Sequence, residues 1–511
     1  LSDYMIQGET LTGIADAIRS KAGLSQAFTP AEMIDAIENM EIGTSASLSS
    51  VTFSSNGTYT PDTGYDGFDR VVVDVPVSVD AGYSMYAGTV DGTISEARDP
   101  ANAVSSIFRY AFYDRSALTV AEFNAAQIID RYAFAQCANL SDISFPVCSI
   151  IKDSAFYSCT SLSSVYFPSA ETIGSCAFAY CTKLHTADFP TVTVISASAF
   201  QRCASLVNIS FPTAEYIGDY AFDHCKFSVA DFPNVSSVGQ RAFTGCTFSE
   251  INMPNLASTA IYAFQTCQNL VSISFSKLTT VNREAFANCY SLTEVNLPAV
   301  TTVLNMAFAY CYSLVDVSLP AVTLISTQAF ASCSALRAVS FPTVTSIYNQ
   351  AFVNCISLET VDLPAVTSAV GSVFSNCTSL VSVSIPLLST VDYACFAGCT
   401  ALRSVAFPAV TTVSNYAFSG CASLSTASFP NLSVLRPYAF YRCTRLMALY
   451  LLGSSVCSLL NTNAFASTPI GGYSAITYEF GSVYVPESLY SLYIVASFWS
   501  TLSSRIVSVP A

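Results

Sequence analysis

The chain reads as one repeat solenoid of β-rich parallel coils of about 22 residues, with a small N-terminal helical/β module and a C-terminal cap. Three observations carry this. First, an Ala-Phe dipeptide recurs in phase, with Phe112, Phe134, Phe156, Phe178 and so on to Phe440 and Phe465, spaced by 22 residues apart from two steps of 21 and a last of 25. Second, the 511 residues are too many for one ordinary core, a limit that a stack of coils packing only on their neighbours escapes. Third, hydrophobic residues make up 52% of the chain and charged ones 11%, spread evenly rather than gathered into a membrane-spanning stretch, as a continuous stacked core requires.

At the N-terminus, Leu11, Ile14, Ala15 and Ile18 follow helical spacing, and Gly23 stops the helix. Thr29-Pro30-Ala31-Glu32 supplies an N-cap, a proline at the first helical position and a capping-box glutamate for a second helix striped by Met33, Ile34, Ile37 and Met40. Residues 1–42 are therefore expected to form a helical hairpin. The turn residues Asn56-Gly57 and the alternation around Val71 to Val75 place a small β module over 43–80. A linker or lead-in cap is expected over 81–100, the solenoid of about seventeen repeats over 101–470, and the C-terminal cap over 471–511.

Within a coil, Leu162-Ser163-Ser164-Val165-Tyr166-Phe167-Pro168 alternates with period two, so Val165 and Phe167 face inward and Ser164 and Tyr166 outward. Pro168 ends the strand because it has no N–H for the ladder. Ile173 and Phe178 supply the inward set of the second half, and the small Ala177 lets the two sides approach. Seventeen coils at about 4.8 Å per strand extend on the order of 80 Å. After Gly471-Gly472, Val483-Tyr484-Val485-Pro486 reads as a last strand. Glu487 to Val495 reads as a helix with Leu489, Leu492 and Tyr493 on one side, and Trp499 as the seal of the terminal coil.

These repeats resemble the BspA-like branch of the leucine-rich repeat superfamily. The resemblance rests on Ile217-Gly218-Asp219-Tyr220-Ala221-Phe222 followed by Cys225, and on Leu184 to Pro190. It covers about 101–470, departs at Ser276 (in place of proline) and at Cys395 (in place of alanine), and implies a leucine-rich-repeat-like fold with a Cys or Asn at the turn after the phenylalanine. Residues 6–76 resemble modules that open tail-associated proteins of phages and prophages of Gram-positive hosts; capping of the first coil is the plainer reading of the same segments.

Of 19 cysteines, fifteen, from Cys137 to Cys443, stand three residues after the phenylalanine. A buried reduced ladder, disulfides between coils and metal binding compete. The fixed phase with the core favours the first; stacked side chains point in parallel rather than at one another, and no local cluster suits zinc. On that reading Cys311→Ser puts a hydroxyl into an apolar column and is expected to cost more than Cys311→Ala.

The composition excludes several function classes. A net charge of −15 and the absence of a basic face argue against nucleic acid as a partner. The two histidines, His185 and His224, lie in different copies, and no phosphate loop, dinucleotide fingerprint or nucleophile elbow is present. No catalytic, cofactor-binding or metal-ligating set is expected, and neither membrane insertion nor a cofactor. The outward strand columns, Asp142 to Thr426 and Ser144 to Ser428, contain no lysine or arginine. The candidate ligand face is Asp188, Asp231, Glu250, Glu294, Asp316 and Asp362, rather than the phenylalanine side. Its expected partner is a host-surface glycan or protein, with other virion proteins engaged through the N-terminal module. Calcium is the cation an oxygen-only set would favour, but most of these acids are a coil or more apart. The expected function is non-enzymatic recognition or attachment, as a phage tail-associated component of a virion. A purely structural virion component and a bacterial cell-surface or secreted adhesin are the alternatives.

Overall fold

Each coil begins with a three-residue strand, and the alternation read from Ser164–Tyr166 holds: the middle residue is buried and its neighbours point outward. The computed structural model describes residues 51–53, 59–61, 95–99, 102, 104–472 and 479–510. A proline-marked turn leads from that strand to a two-residue strand such as Thr172–Ile173, whose second residue is buried. Both strands pair in parallel with the same position of the next coil, Val165 with Ala187 and Ile173 with Ile195. This is a parallel β-solenoid of the leucine-rich repeat type. Seventeen two-residue strands, from Ser106–Ile107 to Ser458–Leu459, stack among the described residues, and the strand Ser482–Pro486 adds a closing coil, about eighteen in all. The ladder of three-residue strands starts at Glu96–Arg98, paired with Val120–Glu122.

The third side of each coil is an arch around the Ala-Phe dipeptide, with its own hydrogen-bond ladder. The amides of Tyr132, Phe134 and Gln136 donate to the carbonyls of Asp153, Ala155 and Tyr157 in the next coil at 3.2, 2.8 and 2.7 Å. Every second amide can point along the solenoid axis because the residues two before and two after each arch phenylalanine from Phe112 to Phe352 are left-handed. Tyr132 has φ 56° and Gln136 φ 65°, and the pattern recurs along the array. Most of these positions carry tyrosine, serine, glutamine or arginine rather than glycine. Left-handed backbone costs such residues roughly 1–2 kcal/mol each, and the inter-coil ladder offsets it.

Inside, the arch phenylalanines form a stacked column: Phe330 and Phe352 lie 5.3 Å apart with rings 1° from parallel. In the first coils a second column, Phe145, Phe167 and Phe189 at the strand ends, meets the first edge-on or tilted. The two 21-residue coils are shortened at one place. Cys203-Ala204-Ser205-Leu206 becomes Cys225-Lys226-Phe227 and then Cys246-Thr247-Phe248. Where the turn loses a residue, phenylalanine replaces leucine. Phe227 and Phe248 are buried, stack 5.6 Å apart, and stand edge-on to Phe222 and Phe243. The three-residue strands of these two coils, Val229–Asp231 and Glu250–Asn252, form a sheet of their own.

The C-terminal cap continues the same ladder. Ser482–Pro486 pairs with Ala448–Tyr450, and a strand not expected from the sequence, Ile506–Val509, pairs with Ser482–Pro486. The helix spans Glu487–Tyr493, ending two residues before Val495. Leu492 is 53% exposed rather than aligned with the buried Tyr493, because a seven-residue helix presents only a narrow face to the core. Trp499 is buried, its ring 6.0 Å from that of Phe465, and its Nε1 donates to the Cys457 carbonyl at 2.7 Å. The Cys457 amide donates to the Tyr493 hydroxyl at 2.9 Å. No helix among the described residues is long and apolar enough to cross a membrane.

The expected helical hairpin over 1–42 lies outside the described residues, as does most of the expected β module over 43–80. Within the latter, Val51–Phe53 pairs antiparallel with Tyr59–Pro61, Thr52 opposite Thr60.

Candidate binding face

The three-residue strands present two outward columns, and register decides which of the six acids meet. Asp231, Glu250, Glu294, Asp316 and Asp362 are exposed and Asp188 is half-buried. Glu294 stands directly opposite Asp316 on the neighbouring strand. The other four are separated. Asp188 lies between Tyr166 and Ser210, Glu250 opposite Val229, and Asp362 between Ser340 and Ser384. Asp231 accepts a hydrogen bond from the Asn252 amide at 2.7 Å.

Glu294 and Asp316 line a shallow, open depression with Asn296 and Ser318. Like charges directly opposite on paired strands repel, and among the described residues neither carboxylate has an ion-pair partner. At the N-terminal edge the situation differs. Arg98 bridges Glu96, at 3.0 Å, and Glu122, so the first coils carry compensated charge. Exposed Arg337, Glu359 and Arg403 sit one residue before the outward columns, at the rim of the face. Among the described residues no three His, Cys, Asp or Glu side chains converge to hold a metal ion. His185 and His224 are in different coils. His185 Nδ1 lies against the Lys183 carbonyl, and His224 Nδ1 is 2.8 Å from Asp223.

The cysteine ladder has a chemistry that the sequence reading missed. Each of its fifteen thiols donates to the carbonyl of the phenylalanine in the preceding coil: Cys137 to Phe112 at 2.9 Å, Cys311 to Phe286 at 3.2 Å and Cys443 to Phe418 at 3.1 Å. The position is therefore not a purely apolar column. It asks for a small buried donor, which corrects the expectation for Cys311→Ser and gives a reason why Cys or Asn suits this turn. The ladder thiols are buried, and burial pushes Cys311 from its ordinary 9.0 up to about 12. Such a thiol is neither a ready nucleophile nor a ready metal ligand at neutral pH.

Residues 105–227, 193–315, 301–390 and 371–478 match, in overlapping stretches, the family described as the BspA type leucine-rich repeat region. No curated protein sequence matches the chain. A leucine-rich repeat protein from Bacteroides ovatus is 22% identical and shares the fold with a TM-score of 0.54, over 70% of this chain and 88% of that one. A leucine-rich cell surface protein from Faecalibacterium prausnitzii is 21% identical over 73% of this chain and 90% of that one, with a TM-score of 0.30. A leucine-rich repeat protein of T. pallidum is 26% identical over 37% of this chain and 80% of that one, with a TM-score of 0.28. The family match spans the arch phenylalanines, the thiol ladder and both strand columns, and the chain belongs to the BspA-type leucine-rich repeat family.

Proposed function

We propose that this chain is a non-enzymatic recognition scaffold that attaches to a surface-borne glycan or protein through the face of its three-residue strands. The observation that carries this reading is the opposed, uncompensated pair Glu294 and Asp316 in a face whose outward columns hold no basic residue from Asp142 to Ser428. Solenoid proteins use long regular faces of this kind for binding. Carboxylates flanked by Asn296, Ser274 and Ser318 offer acceptors and donors to a hydroxyl-rich or basic partner, which would relieve their repulsion. A hydrolase needs two carboxylates across an enclosed cleft, and this depression is open.

The test replaces Glu250, Glu294 and Asp316 together by serine. Circular dichroism and melting should be unchanged, because all three are exposed. Loss of binding to intact cells and purified wall glycans supports the face; retained binding removes it.

A second reading, attachment as part of a phage virion, draws on the sequence resemblance of residues 6–76. Immunodetection of the chain in purified particles tests it, and an export or wall-anchoring signal on the full precursor would argue for a cell-surface adhesin instead. A folded full chain that binds neither cells nor glycans, yet is present in particles, favours a purely structural component.

A further inference from the structure

We infer that the arch side of the two shortened coils carries a second binding site, in which Arg241, clamped between Tyr220 and Tyr262, receives the carboxylate of an acidic sugar. The three residues occupy the same position on consecutive coils, two before Phe222, Phe243 and Phe264. All three are left-handed, with φ of 57°, 54° and 61°. Their amides are fixed by the arch ladder to the carbonyls of Gln240, Ile261 and Arg283 at 2.8, 3.2 and 3.0 Å. The Arg241 guanidinium carbon lies 4.7 Å from the Tyr262 ring centre and 6.0 Å from that of Tyr220. The head is thus held by ring faces on both sides and by backbone that cannot swing, and its ordering cost is met before any ligand arrives.

What is missing is an acid. Arg241 Nε is buried without a hydrogen-bond partner, and among the described residues the guanidinium makes no ion pair. The acids around it are engaged elsewhere. Glu284 takes Arg283 at 3.2 Å and Gln265 at 3.0 Å, Asp223 takes His224 and Gln201, and Asp219 accepts from the Gln240 amide. Elsewhere on the arch, Arg131 reaches Asp153 and Lys152 reaches Asp130 across the coils. With Nε enclosed, an incoming anion meets the Nη groups, whose planar fork fits a carboxylate.

The ligand class follows from charge and surroundings. A chain of net charge −15 repels polyanions and phosphate dianions more than a monoanion on a neutral body. The half-buried tyrosines beside the guanidinium offer apolar ring edges and hydroxyls, the mixture that a sugar's C–H and O–H groups require. This site lies on a different side of the coil from the strand face and stands or falls independently of it.

The test uses the full chain and calorimetric titration with sialyllactose, its methyl ester and lactose. Sialyllactose should bind about ten-fold or more tightly than the ester or lactose, since the ester deletes the anion without touching the protein. Arg241→Met, which keeps the packed stem, should lose that preference. Arg131→Met, on a distant coil and with its head paired with Asp153, should keep it. Equal binding of acid and ester, no binding of any of the three, or an Arg241→Met chain that retains the preference overturns the site. Competition by a short peptide through its carboxylate as effective as by sialyllactose overturns the sugar assignment.

Discussion

Phe286 shows what one residue contributes to the array. It is buried, stacked 5.1 Å from Phe264 and 5.5 Å from Phe308, and its carbonyl receives the Cys311 thiol. Phe286→Ala removes both ring contacts and leaves a cavity that the neighbouring coils cannot close without breaking their ladders. A loss of roughly 3–5 kcal/mol is expected in chemical denaturation. At the thiol position the expected order is set by the carbonyl in reach. Cys311→Ser keeps a donor for Phe286 and should be no more destabilising than Cys311→Ala, each costing roughly 1–2 kcal/mol. A serine variant clearly less stable than the alanine one would show that the thiol acts through its apolar bulk alone.

At the scale of the coil, phase matters more than length. Leu324 pairs with Ser346 and Ile325 with Ile347, one coil apart. Deleting residues 324–345 therefore joins equivalent positions and should leave a folded solenoid one coil shorter. Deleting eleven residues sets an arch against a strand, and left-handed backbone cannot pair with an extended ladder. Circular dichroism and solubility should separate the two deletions sharply; similar behaviour would refute the phase argument. The shortened coils show how the protein tolerates a one-residue change: the loss falls in the turn after Cys225 and Cys246, and Phe227 and Phe248 reach in to fill the core.

Over the whole molecule, the thiol ladder ties stability to alkaline pH. Burial raises Cys311 from 9.0 to about 12, and its neighbours in the ladder are raised for the same reason. A raised folded value means that this stabilisation is complete below pH 9 and is lost as pH rises through the folded values. Above pH 9 the unfolded chain releases protons that the folded one retains. Each such thiol then lowers stability by about 1.4 kcal/mol per pH unit. Melting temperature should be flat between pH 6 and 8 and fall steeply from pH 9 towards 12, less so in a chain with several ladder cysteines replaced by alanine. The cap also acts on the whole array. Trp499→Ala uncovers Phe465 and frees the Cys457 carbonyl, so roughly 3–5 kcal/mol is expected to be lost at the last coils, with aggregation through the exposed end. Sedimentation of the variant against the parent chain checks this.

The coil, its period, the inward Val165 and Phe167 and the outward Ser164 and Tyr166 were legible in the amino-acid sequence. A pattern repeated every 22 residues leaves one way to bury every apolar position at once, and the position of Trp499 beyond the last repeat pointed to a seal on the terminal coil. The left-handed residues of the arch were not legible. Tyr132, Ser154 and Arg241 carry no glycine signature, and their backbone is imposed by the ladder to the next coil, a requirement of stacking rather than of local propensity. The six acids were all read as outward, but the sequence could not say which would meet. Parallel register brings Glu294 to Asp316 and leaves Asp231 with Asn252. Nor could composition separate an arginine with an acid partner from one without. Arg283 has Glu284 within 3.2 Å, while Arg241, two coils earlier, has only two tyrosine rings, because the acids around it already face other donors in the folded stack.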